Sequence, residues 1–428
     1  MSTKPAIVVS SQVVLHVLPQ FIKRIPDPHD ARRWCYVGTV PALEAIKLLR
    51  GTANPRVGNL HSKVADEIRT TIQNEPRDFH YMNRGMIVST PEANLDTDNK
   101  TLTLENPTVD SPNVLWGILD GGHTFDVLKE QAATAAGDDA GASSIAALKD
   151  TWVDVKIRVG LTKDEVIAAA VANNTSAQLR PWTLANFKGQ LQLLKQIVAK
   201  EMPDLAGDIA FRENETNEAT GEERTWDVLD VLQRATLLNV DLFPGFEPSK
   251  QPVVAYASKS RVLDLYLDDP SKYKGMSPII ASAFRMPAMV EAKLSHLPKV
   301  HGNLAFVTKA KSGEVDDSLK GQPGPVKGYQ TGYWERKYRI SDAVLFPIVA
   351  ALRPLIDTNG GKQEWVRDEM QFVNDNISAL YDTFLSFYKD EVVDKTNKAS
   401  LSGMGKDIRL WQILHAKVLA ILAAPKRK

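Results

Sequence analysis

Near residue 180 the spacing of apolar residues changes, and that change limits what the chain can become. Before it, from about residue 6, short β-branched runs alternate with helix-length segments. After it, stretches near 184–201, 226–239, 339–357, 363–390 and 406–423 carry apolar residues at three and four spacing, the signature of amphipathic helices. The pattern predicts an α+β (mixed α/β) region over residues 1–182 and a mainly α-helical region over 183–428. Polar stretches from Glu213 to Arg224 and from Lys309 to Tyr329 are expected to be mobile loops. With 428 residues, 43% of them hydrophobic, the chain can bury the cores of two or three domains.

Within the first region, Leu43, Ile46 and Leu49 predict a helix from Pro41 to Arg50 with a stop at Gly51. A second helix is expected after His61, with Val64, Ile68 and Ile72 on its buried face. Met86–Ser89 and Thr101–Leu104 read as strands, joined as a hairpin by the turn-forming run from Asp96 to Asn99. Val114 to Leu119 is almost uninterruptedly apolar, as a buried central strand would be, and it ends in Asp120-Gly121-Gly122-His123-Thr124. A helix from Phe125 to Ala136 and an alternating strand from Val153 to Val159 follow. Thr162 and Glu165 then form a capping box ahead of a helix reaching about Ala172.

Charge and cysteine content exclude several functions. Lys plus Arg equals Asp plus Glu at 52 each, so no net field draws the whole molecule onto a polyanion, and nucleic-acid contact must come from a local patch. The single Cys35 excludes an intrachain disulfide and a multi-thiolate metal centre, which fits a cytoplasmic protein, and packing beside Trp34 and Tyr36 is its expected role. No run of about 18 uncharged apolar residues occurs, and the run from Ala6 to Val9 is too short for a signal-peptide core, so no membrane partner is expected.

Four polar constellations could carry chemistry. The diglycine of Asp120-Gly121-Gly122-His123-Thr124 lets an anion approach backbone amides, and the helix start behind it favours phosphate. A plain chain reversal is the alternative. Asn83-Arg84-Gly85 offers a forked cation and a carboxamide ahead of a strand, and Asn173-Asn174 with Gln178 closes the capped helix with more polar groups than one cap needs. Arg56, in Asn54-Pro55-Arg56, is a fourth anion contact. Asp120, His123 and Asp126 also suggest a metal, with His61 and His80 as distant ligands. No Glu-x-x-His pattern supports a dedicated site, and a magnesium ion held with a nucleotide is the more plausible cofactor.

Taken in order, Asn54-Pro55-Arg56, Thr70-Thr71-Ile72, Phe79 with Asn83-Arg84-Gly85-Met86-Ile87, Asp120-Gly121-Gly122-His123-Thr124 and Asn173-Asn174-Thr175-Ser176 with Gln178 resemble the abortive-infection phage-resistance (AIPR) family. The resemblance covers about residues 45 to 190 and is not expected to extend into the helical remainder. The glycine loop also resembles the Asp-Gly-x-His-Arg signature of ParB-like, sulfiredoxin-like and phosphorothioation-regulator proteins, whose loop contacts nucleotide phosphates. Thr124 stands where that signature has arginine, which weakens any expectation of hydrolysis or kinase chemistry.

The resemblance implies a ParB/sulfiredoxin-like first domain and a nucleic-acid- or nucleotide-phosphate-binding protein of phage defence or DNA-modification control. Gly121, Gly122, Thr124, Asn83, Arg84, Arg56, Asn173, Asn174 and Gln178 would contact the ligand. Two alternatives stay open. One is a magnesium-dependent nuclease or nucleoside triphosphatase using Asp120 and His123; the other is a protein-interaction scaffold, and either could be a homo-oligomer.

Overall fold

The structure, a computed structural model, describes residues 12–54, 58, 60–105, 115–134, 141–173, 180–320, 322, 334–393 and 400–424. It is a mixed α+β chain whose C-terminal region is helical, divided into two compact units. The first unit comprises Met1–Lys188 with Arg212–Glu215, and the second Gly189–Phe211 with Thr216–Lys428.

The first unit is organised by eight strands: β1 (Gln12–His16), β2 (Ile22–Pro26), β3 (Trp34–Pro41), β4 (Met86–Thr90), β5 (Glu92–Asp96), β6 (Thr101–Glu105), β7 (Gly117–Asp120) and β8 (Trp152–Val159). Five of them form a sheet in the order β2-β3-β8-β4-β7, antiparallel except for the parallel pair β4 and β8. Alternation along β8 puts Val153, Val155, Ile157 and Val159 on one face, all buried, and that face carries the main core. Against it pack Ile68 and Ile72 of α2 (Lys63–Asn74), Val127 and Leu128 of α4 (Gly122–Thr134), and Leu148 of α5 (Gly141–Asp150). Leu15, Leu102 and Leu104 of the small sheet β1-β6-β5 join the same cluster. On the opposite face a smaller cluster seats Val166 and Ala170 of α6 (Lys163–Asn173) on Leu119 of β7 and Ile87 of β4.

Several expectations need correction. The helix expected over Pro41–Arg50 is the single turn α1 (Ala42–Ala45), because the carbonyls of Leu49 and Arg50 accept instead from the Ile118 amide at 3.2 and 3.0 Å. In α2 the buried position is Ala65, and Val64 is 52% exposed. The hairpin around Asp96–Asn99 joins β6 to β5, whereas β4 leaves to pair with β7 and β8. Strand β7 is buried yet lies at the end of the sheet order, and β8, read as an alternating strand, is the central one. The outer side of β7 meets the bridge Gly51↔Gly117 and the carbonyls of Leu49 and Arg50. Helix α4 begins at Gly122, inside the glycine loop, and α5 was not anticipated. The capping box is formed: Glu165 accepts from the Thr162 amide at 2.9 Å, and the Thr162 hydroxyl oxygen accepts from the Glu165 amide at 3.4 Å. Cys35 is half-buried on β3.

In the second unit the helices Gln192–Glu201, Val228–Leu238, Ile280–Ser295, Asp342–Ala350, Glu369–Tyr388 and Ile408–Ala423 supply most of the frame. A hairpin of Ile356–Asn359 with Lys362–Trp365 takes the last residues of one expected helix and the first of the next. Gly360 and Gly361 explain it, since two successive residues at φ +57° and +77° make the primed turn that couples antiparallel strands. The stretch from Glu213 to Arg224 contains an ordered turn, in which Arg224 donates to the carbonyl oxygens of Thr216 and Ile209 at 3.1 and 2.8 Å.

This unit also buries polar groups that no periodicity reveals. Arg353 is 2% exposed and donates to the carbonyl of Lys250 at 2.7 Å, to Gln251 Oε1 at 2.6 Å and to His415 Nδ1 at 2.9 Å. A guanidinium only donates, so Nδ1 of His415 must carry no proton. Burial first, and the neighbouring Arg353 charge second, hold the imidazole down at about 4. The unfolded chain therefore takes up the proton first as pH falls. Full stability is present above about 6.5 and is lost on acidification toward about 4. Melting temperature should fall over that interval, and His415→Gln, which keeps an acceptor for Arg353, should flatten the fall. Equal acid sensitivity in both proteins would show that another group is responsible.

Candidate functional site

Strand β4 runs antiparallel to β7, so the start of the first lies beside the end of the second, with Ile87 opposite Asp120. Asn83-Arg84-Gly85, just before β4, therefore meets Asp120-Gly121-Gly122, just after β7, although 34 residues or more separate them in the chain. The contact is made by backbone. Gly121 adopts φ +82°, and a Cβ there would overlap the carbonyl oxygen of Gly85. Gly85 in turn adopts φ +72° against the carbonyl of Asp154 on β8, where a Cβ would also collide.

Asn83 fastens the two segments. Its Oδ1 accepts from the Gly85 amide at 2.9 Å and from the Thr124 hydroxyl at 3.1 Å. Because a backbone amide can only donate, the oxygen of the carboxamide is fixed and its NH2 is turned the other way. That NH2 makes no hydrogen bond among the described residues. Thr124 is 4% exposed, so its hydroxyl serves this clasp. Asp120 accepts from the Gly121 amide through Oδ1 at 2.7 Å, which tightens the bend.

At the start of α4 the amides of Gly122, His123 and Thr124 belong to the first turn, and the first helical bond is from the Phe125 amide to the Gly121 carbonyl at 3.1 Å. Two side chains stand over this turn. Arg50 Nη2 and Asn54 Nδ2 lie 3.3 and 3.4 Å from where a Cβ of Gly122 would be. Arg50 is held by an ion pair with Asp126, one helical turn further along α4. The unwound end of α1, with Leu49 and Arg50 captured by Ile118, carries Arg50 to this place. Sequence reasoning missed Arg50, since only the pairing of Gly51 with Gly117 delivers it.

The remaining expected residues fall as follows. Arg84 is exposed and makes no ion pair among the described residues. His123 is half-buried as the second residue of α4. Asn173 ends α6 and donates through Nδ2 to the Ala169 carbonyl at 2.6 Å, so its donor group is engaged by its own helix. Arg56, Asn174 and Gln178 lie outside the described residues. Asp126, considered as a metal ligand, is committed to Arg50, and among the described residues no group of three His, Cys, Asp or Glu side chains is arranged to hold a metal ion. No described helix is long and apolar enough to cross a membrane.

The backbone packing leads to a specific expectation. Gly121→Ala or Gly85→Ala must push apart segments that touch through carbonyl oxygens while also straining a positive φ. Each should cost on the order of 1–3 kcal/mol or more, measured by denaturant unfolding. Gly122→Ala, at an ordinary helical φ, should cost less. Equal costs at all three positions would contradict the packing described.

Comparison with known proteins adds a family. The model of the family described as AIPR protein matches residues 52–359, a span that contains Asn54, Asn83-Arg84-Gly85 and the whole glycine loop. It also corrects the expected extent of the resemblance, which does not stop near residue 190 but runs far into the helical region. No curated protein and no solved structure matches the chain. With more than half of its length covered, including the segments that meet at the β4–β7 edge, the chain belongs to the AIPR family.

Proposed function

We propose that the glycine loop is a receptor for phosphate carried by a nucleotide or a nucleic acid. Membership of the AIPR family points to phage defence by abortive infection, and the finer reading concerns how this site would serve it. The observation that carries it is the convergence of Arg50 and Asn54 nitrogens on Gly122, at the amino end of a 13-residue helix. Amides of a first helical turn have no partner within their own helix, and with the helix dipole they favour an anion there, while the absence of a Cβ leaves room for its oxygens. Arg84 adds an exposed guanidinium beside the same bend, and Asn83 adds its carboxamide NH2. The ParB/sulfiredoxin-like reading of the domain and a cytoplasmic location belong to this proposal.

Magnesium fits only as part of the ligand. Asp120 keeps Oδ2 without a described partner, so it can contribute one oxygen, and the rest of an octahedral shell would come from phosphate and water. An enzymatic reading rests on that oxygen and on His123 two residues into the helix. It requires magnesium-dependent cleavage of a phosphodiester or a nucleoside triphosphate that Asp120→Asn and His123→Ala abolish while folding is kept.

Thermal shift against nucleotides and short oligonucleotides, with and without magnesium, tests the binding site. A ligand at 100 times its Kd stabilises the folded state by about 2.7 kcal/mol. Arg84→Ala and Asn54→Ala should each remove about 1.5–3 kcal/mol of binding, a loss of tenfold or more, and Arg84→Ala, at an exposed position, should leave the melting temperature of the free protein nearly unchanged. Binding untouched by both substitutions would refute the site and favour a scaffold role.

A further inference from the structure

The second unit holds an open cavity of about 750 Å³, a size that suits a small organic ligand. Its walls are the helix Gln192–Glu201, residues 271–278 and the hairpin of Ile356–Asn359 with Lys362–Trp365. Gln363 clamps the hairpin in place. Its side chain is fully buried: Oε1 accepts from the Val240 amide at 3.2 Å, and Nε2 donates to Asn239 Oδ1 at 3.0 Å and to Asp241 Oδ2 at 2.9 Å. Its backbone amide donates to the Gly275 carbonyl at 2.8 Å, and a Cβ on Gly275 would crowd the carbonyl oxygen of Gly361. These contacts fix the walls by themselves, which spares a ligand the entropy of ordering them.

With Gln363 turned inward, alternation along the strand turns Lys362 and Glu364 the other way, and both line the cavity. Lys274 joins them from residues 271–278. All three are exposed and make no ion pair among the described residues. Lys200 and Glu201 also reach the cavity, but they pair with each other at 2.7 Å, and Glu201 accepts from the Ser277 hydroxyl at 2.8 Å. At the hairpin tip, Gly360 and Gly361 line the cavity with amides that donate to no described residue. Charge along the hairpin therefore has a direction. Lys362 adjoins the glycine tip, whereas Glu364 lies two residues further on and opposite Asp357.

We propose that this cavity binds a phosphorylated sugar, free or as part of a nucleotide, with its phosphate at Lys274, Lys362 and the glycine tip and a sugar hydroxyl donating to Glu364. The unpaired ammoniums of Lys274 and Lys362 match the charge of a phosphate monoester, for which lysine serves as a point charge. A carboxylate only accepts, so Glu364 calls for a donor on the same molecule. The strand rise puts Glu364 roughly 7 Å from Lys362, a span that a sugar phosphate covers from phosphate to far hydroxyl and that inorganic phosphate does not. Leu193, Ile197 and Pro278 offer apolar ground for the base of a nucleotide. The site lies wholly within the second unit and does not depend on the glycine-loop receptor of the first.

Calorimetric titration with ribose 5-phosphate, AMP, ribose, inorganic phosphate and succinate tests the proposal. It is made on the full chain carrying Arg84→Ala, which weakens the glycine-loop receptor, so that binding in the second unit is read separately. Ribose 5-phosphate should bind more tightly than ribose or inorganic phosphate. Adding Lys274→Ala or Lys362→Ala, both at exposed positions, should weaken it about tenfold each, the usual worth of a hydrogen bond to a charged group, with the melting temperature nearly unchanged. Glu364→Ala should weaken ribose 5-phosphate but not inorganic phosphate. Undiminished affinity in both lysine variants, or no binding of ribose 5-phosphate and AMP, overturns the site. If these ligands bind the parent and Arg84→Ala alone abolishes their binding, the glycine-loop receptor stands and this one falls. Succinate bound as tightly as ribose 5-phosphate overturns the phosphate assignment, and undiminished ribose 5-phosphate binding in Glu364→Ala overturns the hydroxyl contact. AMP bound more tightly than ribose 5-phosphate identifies a nucleotide, and equal affinity identifies the free sugar phosphate.

Discussion

Everything at the candidate site depends on three backbones touching without side chains between them. Gly121 rests on the carbonyl of Gly85, and Gly85 rests on the carbonyl of Asp154, so the end of β7, the approach to β4 and β8 are held at van der Waals distance. Close-packed interiors tolerate little change in volume, and a methyl group at either glycine would have to move a strand. The Asn83 carboxamide then locks the arrangement by accepting from both sides of the contact. Its free amide, the first turn of α4 and the Arg84 side chain are thereby fixed around one bend.

The arginine that matters most for charge at this bend is supplied from elsewhere. Arg50 arrives because β7 takes up the carbonyls of Leu49 and Arg50 and unwinds what could have been a longer helix. Asp126 then holds the guanidinium close to α4. The pair is half-buried, and desolvation offsets much of its Coulomb gain. Its consequence is positional: the protein's own carboxylate keeps a cation beside Gly122.

The second unit solves a different problem with similar means. Arg353 is buried without a carboxylate and satisfied by carbonyls, Gln251 and a neutral His415. Glu291, 5% exposed, accepts from the Ile340 amide at 2.7 Å and from Arg336, which also reaches Glu314. Each buried charge is satisfied on several sides, as the cost of leaving one unpaired requires. These contacts join residues 22 to 103 positions apart, and for that reason the helical spacing gave no hint of them.

Local pattern was enough for much of the chain. Alternation from Val153 to Val159 gave β8, threonine and glutamate at 162 and 165 gave the start of α6, and the glycine bend between an apolar run and a helix was visible as such. The helical character of the C-terminal region followed from apolar spacing, while the turn at Gly360-Gly361, between two expected helices, made a hairpin of their facing ends. Which strands become neighbours is a property of the whole sheet, set by long-range burial and backbone pairing. The sequence by itself determined a glycine bend and a helix behind it. Only the tertiary structure decided that β4 would lie beside β7 and that Arg50 and Asn54 would stand over Gly122.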